Sequence, residues 1–234
     1  MIELRELHKD FGSHPVINGI STSIKAGSWT GILAPPRAGL STLMRLMAGY
    51  LAPSQGQVLI HAQDPTQSSQ ALSQIISYVP AQFSLPPNLN VGEFIRLSGA
   101  LRRMPNPQKI AEQLCSELGL EDLWPHKINH LNASLQKLVS LAQSLLQHPQ
   151  LLLLDETLSH LDSWQRSRAL QWLKSRASQT TCIIGSHCVE DLSPHCQSIL
   201  LLHQGRLIQT VKTQHDANPQ WLRDALTLAD EKPS

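Results

Sequence analysis

Residues Ser28–Ala48 read SWTGILAPPRAGLSTLMRLMA, and the fold turns on this stretch. An apolar run, Trp29 to Leu33, stops at Pro35 and Pro36, passes Gly39, and gives way to helical spacing. Leu43, Leu46 and Met47 then fall on one helical face. The order is strand, tight loop, helix, with Ser41 and Thr42 where the helix begins. Backbone N–H groups left unpaired at a helix N-terminus, together with the helix dipole, suit a phosphate. The usual phosphate loop is G-x-x-x-x-G-K-[ST], its lysine meeting the β- and γ-phosphates and its hydroxyl meeting Mg²⁺. Here Ala34 takes the place of the first glycine and Gly39 keeps the second, while Leu40 replaces the lysine and Ser41 keeps the hydroxyl. The shape of the loop is retained and its key charge is missing.

The bulk properties narrow the class. A chain of 234 residues buries a sizeable core as one domain or one domain with a lobe. A net charge of +1, with 16% charged and 41% hydrophobic residues, gives no field that would draw nucleic acid. No apolar run approaches the roughly 20 residues of a membrane span, and Met1 leads into IELREL without the marks of a secretion signal. Cys115, Cys182, Cys188 and Cys196 are too few for a disulfide framework, so a reduced, cytosolic chain is expected.

Along the chain, Ile2–Leu4 and Val16–Ile24 carry strand-type residues around turn chemistry at Gly12–Pro15. Phe11, just before that turn, either closes a hairpin or offers a platform for a stacked adenine. A short strand is expected over Gln57–His61, a helix over about Ser68–Gln74, and a strand over Ile75–Val79. From Leu85 to about Gln147 helical periodicity takes over, at Val91–Leu101, Pro107–Leu118 and Leu131–Leu146. Leu151–Leu154 then reads as a central parallel strand, ending at Asp155 and Glu156. Carboxylates at the C-terminal end of such a strand lie where open α/β sheets bind ligands. They serve either a Mg²⁺ and water site or simple solvation of the strand end. A helix over Ser163–Ala177, a strand over Cys182–Gly185 ending in Ser186-His187, and a hairpin of Ser198–Leu202 with Arg206–Val211 complete the core. A tail helix is expected over Pro219–Leu228, and the alternation of strands with helices implies a parallel sheet.

Taken together these stretches resemble the nucleotide-binding subunit of an ATP-binding-cassette (ABC) transporter over nearly the whole chain, their order and spacing carrying the likeness. Ala34 to Thr42 resembles the family's phosphate loop, G-P-N-G-A-G-K-S-T, and Tyr78-Val79-Pro80 the approach to its glutamine loop. Leu131-Asn132-Ala133-Ser134-Leu135 lies where the signature L-S-G-G-Q belongs, followed by Val139, Leu141-Ala142 and Leu145 in the family's helix pattern. Leu151–Glu156 resembles Walker B with its catalytic glutamate, Ser159–Asp162 the D-loop, Ser186-His187 the switch histidine, and His203–Leu207 the closing turn.

The resemblance implies an α/β P-loop NTPase fold of ABC-ATPase type, with a mainly parallel core, N-terminal antiparallel strands and an inserted helical lobe. It divides the chain into a nucleotide-binding core at 1–84 and 149–213, a helical signature subdomain at 85–148 and a tail at 214–234. It implies ATP bound by Phe11, Pro35, Arg37, Ala38, Gly39, Leu40, Ser41 and Thr42, and Mg²⁺ held by Ser41, Asp155 and Gln82. Glu156 and His187 become catalytic, Asn132, Ala133, Ser134 and Leu135 the signature, and Asp162 the D-loop residue. Its partners are a transmembrane permease and a second cassette on the cytoplasmic face of the membrane. The single short cassette resembles those of exporters, and nucleic acid has no part in it.

The departures set the expected chemistry. A charge-assisted hydrogen bond contributes about 1.5–3 kcal/mol, so Leu40 is expected to weaken ATP binding at least about tenfold and to impair hydrolysis more. Pro36 removes a backbone donor. Arg37, in a place that favours glycine, either supplies a substitute cation or distorts the loop. Ala81 occupies the glutamine position, with Gln82 one residue late. Ala133 and Ser134 replace both signature glycines, Ser134 retaining a hydroxyl that can donate, and Leu135 replaces the glutamine. A degenerate, structural or regulatory cassette is the expected function. An active ATPase working through Arg37 and a soluble scaffold without a permease are the rivals, and metal binding at His187-Cys188 with His195-Cys196 is a further alternative.

Overall fold

The structure is a computed structural model that describes residues 1–67, 70–176 and 179–213. The first strand, β1 (Ile2–Phe11), turns at Gly12-Ser13 into the antiparallel β2 (His14–Ile24). Both run longer than their apolar residues suggest: His14 and Pro15 belong to β2 rather than to the turn, since Phe11 pairs with His14 and Asp10 with Pro15. Next come β3 (Trp29–Leu33), helix α1 (Leu40–Met47), β4 (Gln55–Ile60), α2 (Gln70–Ile75) and β5 (Ile76–Val79). The first sheet has the order β2-β1-β4, antiparallel throughout.

The helical stretch follows as α3 (Val91–Leu101), α4 (Pro107–Leu118) and α5 (Ala133–Leu145). Their ends follow from local chemistry. Asn90 and Glu93 form a capping box on α3, Pro107 occupies the first turn of α4, and Gly119 closes α4 in the left-handed conformation at φ 71°. Leu131 lies outside α5 because Asn132 caps it, Oδ1 accepting from the Leu135 N–H at 2.9 Å.

The chain ends its described course with β6 (Leu151–Asp155), α6 (Ser163–Ser175), β7 (Thr181–Ser186), β8 (Ser198–His203) and β9 (Arg206–Lys212). The second sheet has the order β5-β6-β7-β3-β8-β9, parallel except for β9. The expected fold class is the observed one. The tail helix over 219–228 lies outside the described residues.

The four leucines of β6 show why this strand is central. Leu151 and Leu153 enter the core that holds β1, β2 and α1, while Leu152 and Leu154 enter the core of α3 to α6. Alternation at the strand period therefore welds two apolar layers to one strand, and truncating any of these leucines would cost about 2–5 kcal/mol. The same strand delivers Asp155 to the edge where β3, β5 and β7 also end.

Candidate functional site

The loop after β3 folds back on itself. Ala34 is tied to β7 through its N–H to the Ser186 carbonyl at 3.2 Å, and the Ala38 N–H bonds the Pro35 carbonyl at 3.2 Å. Gly39 stands at φ 100°, where a Cβ would lie 2.9 Å from the Val16 carbonyl oxygen, so only glycine fits. Arg37 takes φ 67° without being glycine, at an exposed tip. Pro35 and Pro36 have no N–H to offer and that of Ala38 is turned inward, so the donors left for an anion are those of Arg37 and Gly39 and those at the start of α1. There Leu40, Ser41 and Thr42 precede the first helical bond, from the Leu43 N–H to the Gly39 carbonyl, at 2.9 Å.

Leu40 does not merely lack a charge. Its side chain is buried in the core under the loop, near Met44, and a Cβ on Gly185 of β7 would lie 2.8 Å from its Cδ1. The position that carries a phosphate-seeking lysine in the usual loop is here part of the apolar packing.

On the opposite side of the edge, Asp155 is fully buried. Its Oδ2 accepts from the Tyr78 hydroxyl at 3.0 Å, and its Oδ1 has no partner. Burial first, then Asp155, hold the Tyr78 hydroxyl well above its usual pKa, so it stays a donor. Glu156 adopts φ 50°, fixed by its N–H to the Gly185 carbonyl at 3.0 Å. Its Oε2 accepts from Ser159 Oγ at 2.9 Å and its Oε1 is buried without a hydrogen bond, 3.6 Å from His187 Nδ1. His187 Nδ1 lies 2.6 Å from the Ala34 carbonyl, which can only accept, so this nitrogen carries the proton and the histidine joins the loop to Glu156. Two neighbouring carboxylates, each with one buried orphaned oxygen, match the donor set of a hard cation such as Mg²⁺, and Ser41 has no side-chain hydrogen bond in this structure that would compete for it.

Other expected residues lie farther out. Gln82 is exposed beyond the end of β5. Phe11 is 49% exposed and pairs with His14 at the end of the first hairpin, with Lys9 Nζ 5.3 Å from its ring centre, as a half-buried aromatic closing that hairpin. In the signature, Asn132 and Ala133 are exposed, and Ser134 and Leu135 half-buried. The Ser134 hydroxyl does donate, here to Gln165 Oε1 at 2.5 Å within its own chain, and it accepts from the Asp162 N–H at 3.1 Å. Asp162 in turn caps α6, its Oδ1 accepting from the Gln165 N–H at 2.9 Å. The segments around Ser134 and Asp162 are thus tied together within one chain.

Sequence reasoning missed two groups. Asp191, 3% exposed, accepts from Arg166 Nη1 at 2.8 Å and Ser186 Oγ at 2.9 Å, and Ser186 Oγ accepts from the Cys188 N–H at 3.0 Å, which fixes the loop carrying His187. Lys137 on α5 is fully buried, bonded to the carbonyls of Pro80 and Ala81 (3.1 Å to the latter) and 4.8 Å from the Phe83 ring centre. Burial pushes its pKa down to about 8, while Asp155 and Glu156 oppose the shift. A single charged residue inside the otherwise uncharged helix α5 was the available signal. The two His-Cys pairs do not converge: Cys188 is exposed and Cys196 buried, and among the described residues no three His, Cys, Asp or Glu side chains gather around a metal position.

The family model described as ABC transporter matches residues 17–159. The chain belongs to the ABC transporter family. It is similar to the Fe(3+) ions import ATP-binding protein FbpC of Pseudomonas fluorescens, 35% identical over 217 residues, which cover 89% of this chain and 60% of that protein. The probable multidrug ABC transporter ATP-binding protein YbhF of Escherichia coli is 31% identical over 89% of this chain and 36% of its own length. The probable sulfate/thiosulfate import ATP-binding protein CysA of Chlorella vulgaris is 30% identical over 91% and 92%. The chain therefore spans less than two thirds of the first two proteins and nearly all of the third. Among solved structures, an ATP binding subunit of an ABC transporter superposes with a TM-score of 0.86 at 19% identity, covering 97% of this chain and 99% of that one. A bacterial Atm1-family ABC exporter with ATP bound gives 0.84 at 21% identity, covering all of this chain and 42% of that one. No helix among the described residues is long and apolar enough to cross a membrane.

Proposed function

We propose that this chain is a degenerate cassette: it binds ATP weakly, hydrolyses it poorly, and serves as a structural or regulatory half of a transporter beside a more competent cassette. The observation that carries this reading is Leu40 packed into the core where a phosphate-binding lysine belongs. Charge stabilisation supplies most of phosphoryl-transfer catalysis, so its loss weighs more on turnover than on binding. In this reading the N–H groups of Leu40, Ser41 and Thr42 hold phosphate oxygens, and Phe11 supports the base. Ser41 and Asp155 would hold Mg²⁺, which when bound offsets phosphate charge, while the exposed Gln82 would have to move in to join them.

Glu156 and His187 are the water-side pair. The orphaned Glu156 Oε1 accepts a proton from an attacking water, and the Ala34 carbonyl holds His187 in the Nδ1–H form, leaving Nε2 free to meet an oxygen-bound proton. The chain docks peripherally on the cytoplasmic side of a membrane permease, which would set substrate and direction, since cassettes named for import and for multidrug transport are alike similar to this one.

The intact geometry of Asp155, Glu156 and His187 favours a second reading, an active ATPase. Steady-state hydrolysis by the purified chain and by Glu156→Gln separates the two. Equal, near-background rates are expected, and brisk turnover abolished by Glu156→Gln would overturn the proposal.

A further inference from the structure

Among the described residues, Lys137 is the one buried charge near the nucleotide edge that none of the roles above uses. It is fully buried, a costly place for an ammonium unless it is hydrogen-bonded and set against negative charge. Both conditions hold. Its Nζ donates to the Pro80 and Ala81 carbonyls and sits 4.8 Å from the centre of the Phe83 ring. The parallel register of β5 with β6 pairs Tyr78 with Leu153 and Val79 with Leu154. β5 ends at Val79, opposite Leu154, so the segment that Lys137 binds leaves the sheet beside the strand end that bears Asp155 and Glu156. The ammonium is thereby anchored within electrostatic reach of two carboxylates that each have an orphaned oxygen. Fields at such separations persist in a partly buried, poorly screened setting.

We propose that Lys137 is the resident cation of the nucleotide edge, a positioning residue that clamps the segment after β5 and offsets the charge of Asp155 and Glu156, so that phosphates can approach a loop without its lysine. The charge comes from the signature helix α5 of the same chain, from a different direction than a loop lysine would take. This rests on the reading that the chain binds nucleotide.

The test is a double-mutant cycle of Lys137→Gln with Leu40→Lys, read as ATP affinity by calorimetry, with Lys137→Met and Lys137→Arg alongside and folding checked by circular dichroism. Gln keeps a donor for the carbonyls without the charge. Lys137→Gln and Lys137→Met are expected to bind ATP at least about fivefold more weakly, and Lys137→Arg within about threefold of wild type. Leu40→Lys should improve the Lys137→Gln protein by a larger factor than it improves wild type. Affinity unchanged in a folded Lys137→Gln protein, loss confined to Lys137→Met, or additive effects in the cycle would each overturn the inference. A wild type that binds no ATP while Leu40→Lys does would overturn it and leave the degenerate-cassette reading standing. Absence of binding in both proteins would overturn the two together.

Discussion

Replacing Lys137 with methionine removes a charge from a fully buried position while keeping most of the side-chain volume. Burial lowers the lysine's pKa from 10.5 to about 8, with Asp155 and Glu156 opposing the shift. The sign follows from proton counts. Below pH 8 both folded and unfolded chains hold the proton, and this residue contributes no slope. Between about pH 8 and pH 10.5 the unfolded chain binds a proton that the folded chain has lost, so unfolding free energy rises with pH. At 1.36 kcal/mol per pH unit the whole window amounts to about 3 kcal/mol. Lys137→Met has no such window. The variant also strands the Pro80 and Ala81 carbonyls, but that penalty does not depend on pH. Urea denaturation of both proteins at a series of pH values from about 7 to about 10 measures the difference, in which unrelated titrations cancel. Wild-type stability relative to the variant should climb by about 2–3 kcal/mol across that range. A flat difference would refute the burial-lowered pKa and mean that the Pro80 and Ala81 carbonyls with the nearby carboxylates fully offset the cost of burying the ammonium.

Two further outcomes follow from the geometry. Gly39→Ala would force a Cβ to 2.9 Å from the Val16 carbonyl oxygen at φ 100°. It should cost about 2–4 kcal/mol and lower Tm by roughly 5–15 °C in a thermal melt, and an unchanged Tm would contradict the loop geometry. Asp191→Ala leaves Arg166 and Ser186 without their shared acceptor; because the Arg166 side chain is 33% exposed, the loss should be about 2–3 kcal/mol in urea, below that of a fully buried pair.

The helices of the lobe were legible because their periodicity comes with strong stop signals: Val91–Leu101 and Pro107–Leu118 stand as read, bounded by Asn90, Pro107 and Gly119. The Leu151–Leu154 run was equally plain, since a strand buried on both faces needs no polar alternation. The first hairpin was less so, because β1 and β2 carry polar residues on their outer face and their pairing rather than their composition sets their length. In the site, the carboxylates and His187 were visible as residue types at strand ends. Three other features depend on contacts distant in sequence, which no local pattern encodes: the descent of Leu40 into the core against Gly185, the use of Ser134 to bind Gln165, and the reach of Lys137 to the segment after β5.

The account stands on Leu40 having removed the main phosphate charge from an otherwise formed site. Calorimetric titration of Mg-ATP into the wild-type chain beside Leu40→Lys tests that most directly. Wild type should bind at least about tenfold more weakly than the variant, in line with one charge-assisted hydrogen bond restored. Micromolar binding by wild type, left unimproved by the lysine, would contradict the account and make this chain a working nucleotide site despite its loop.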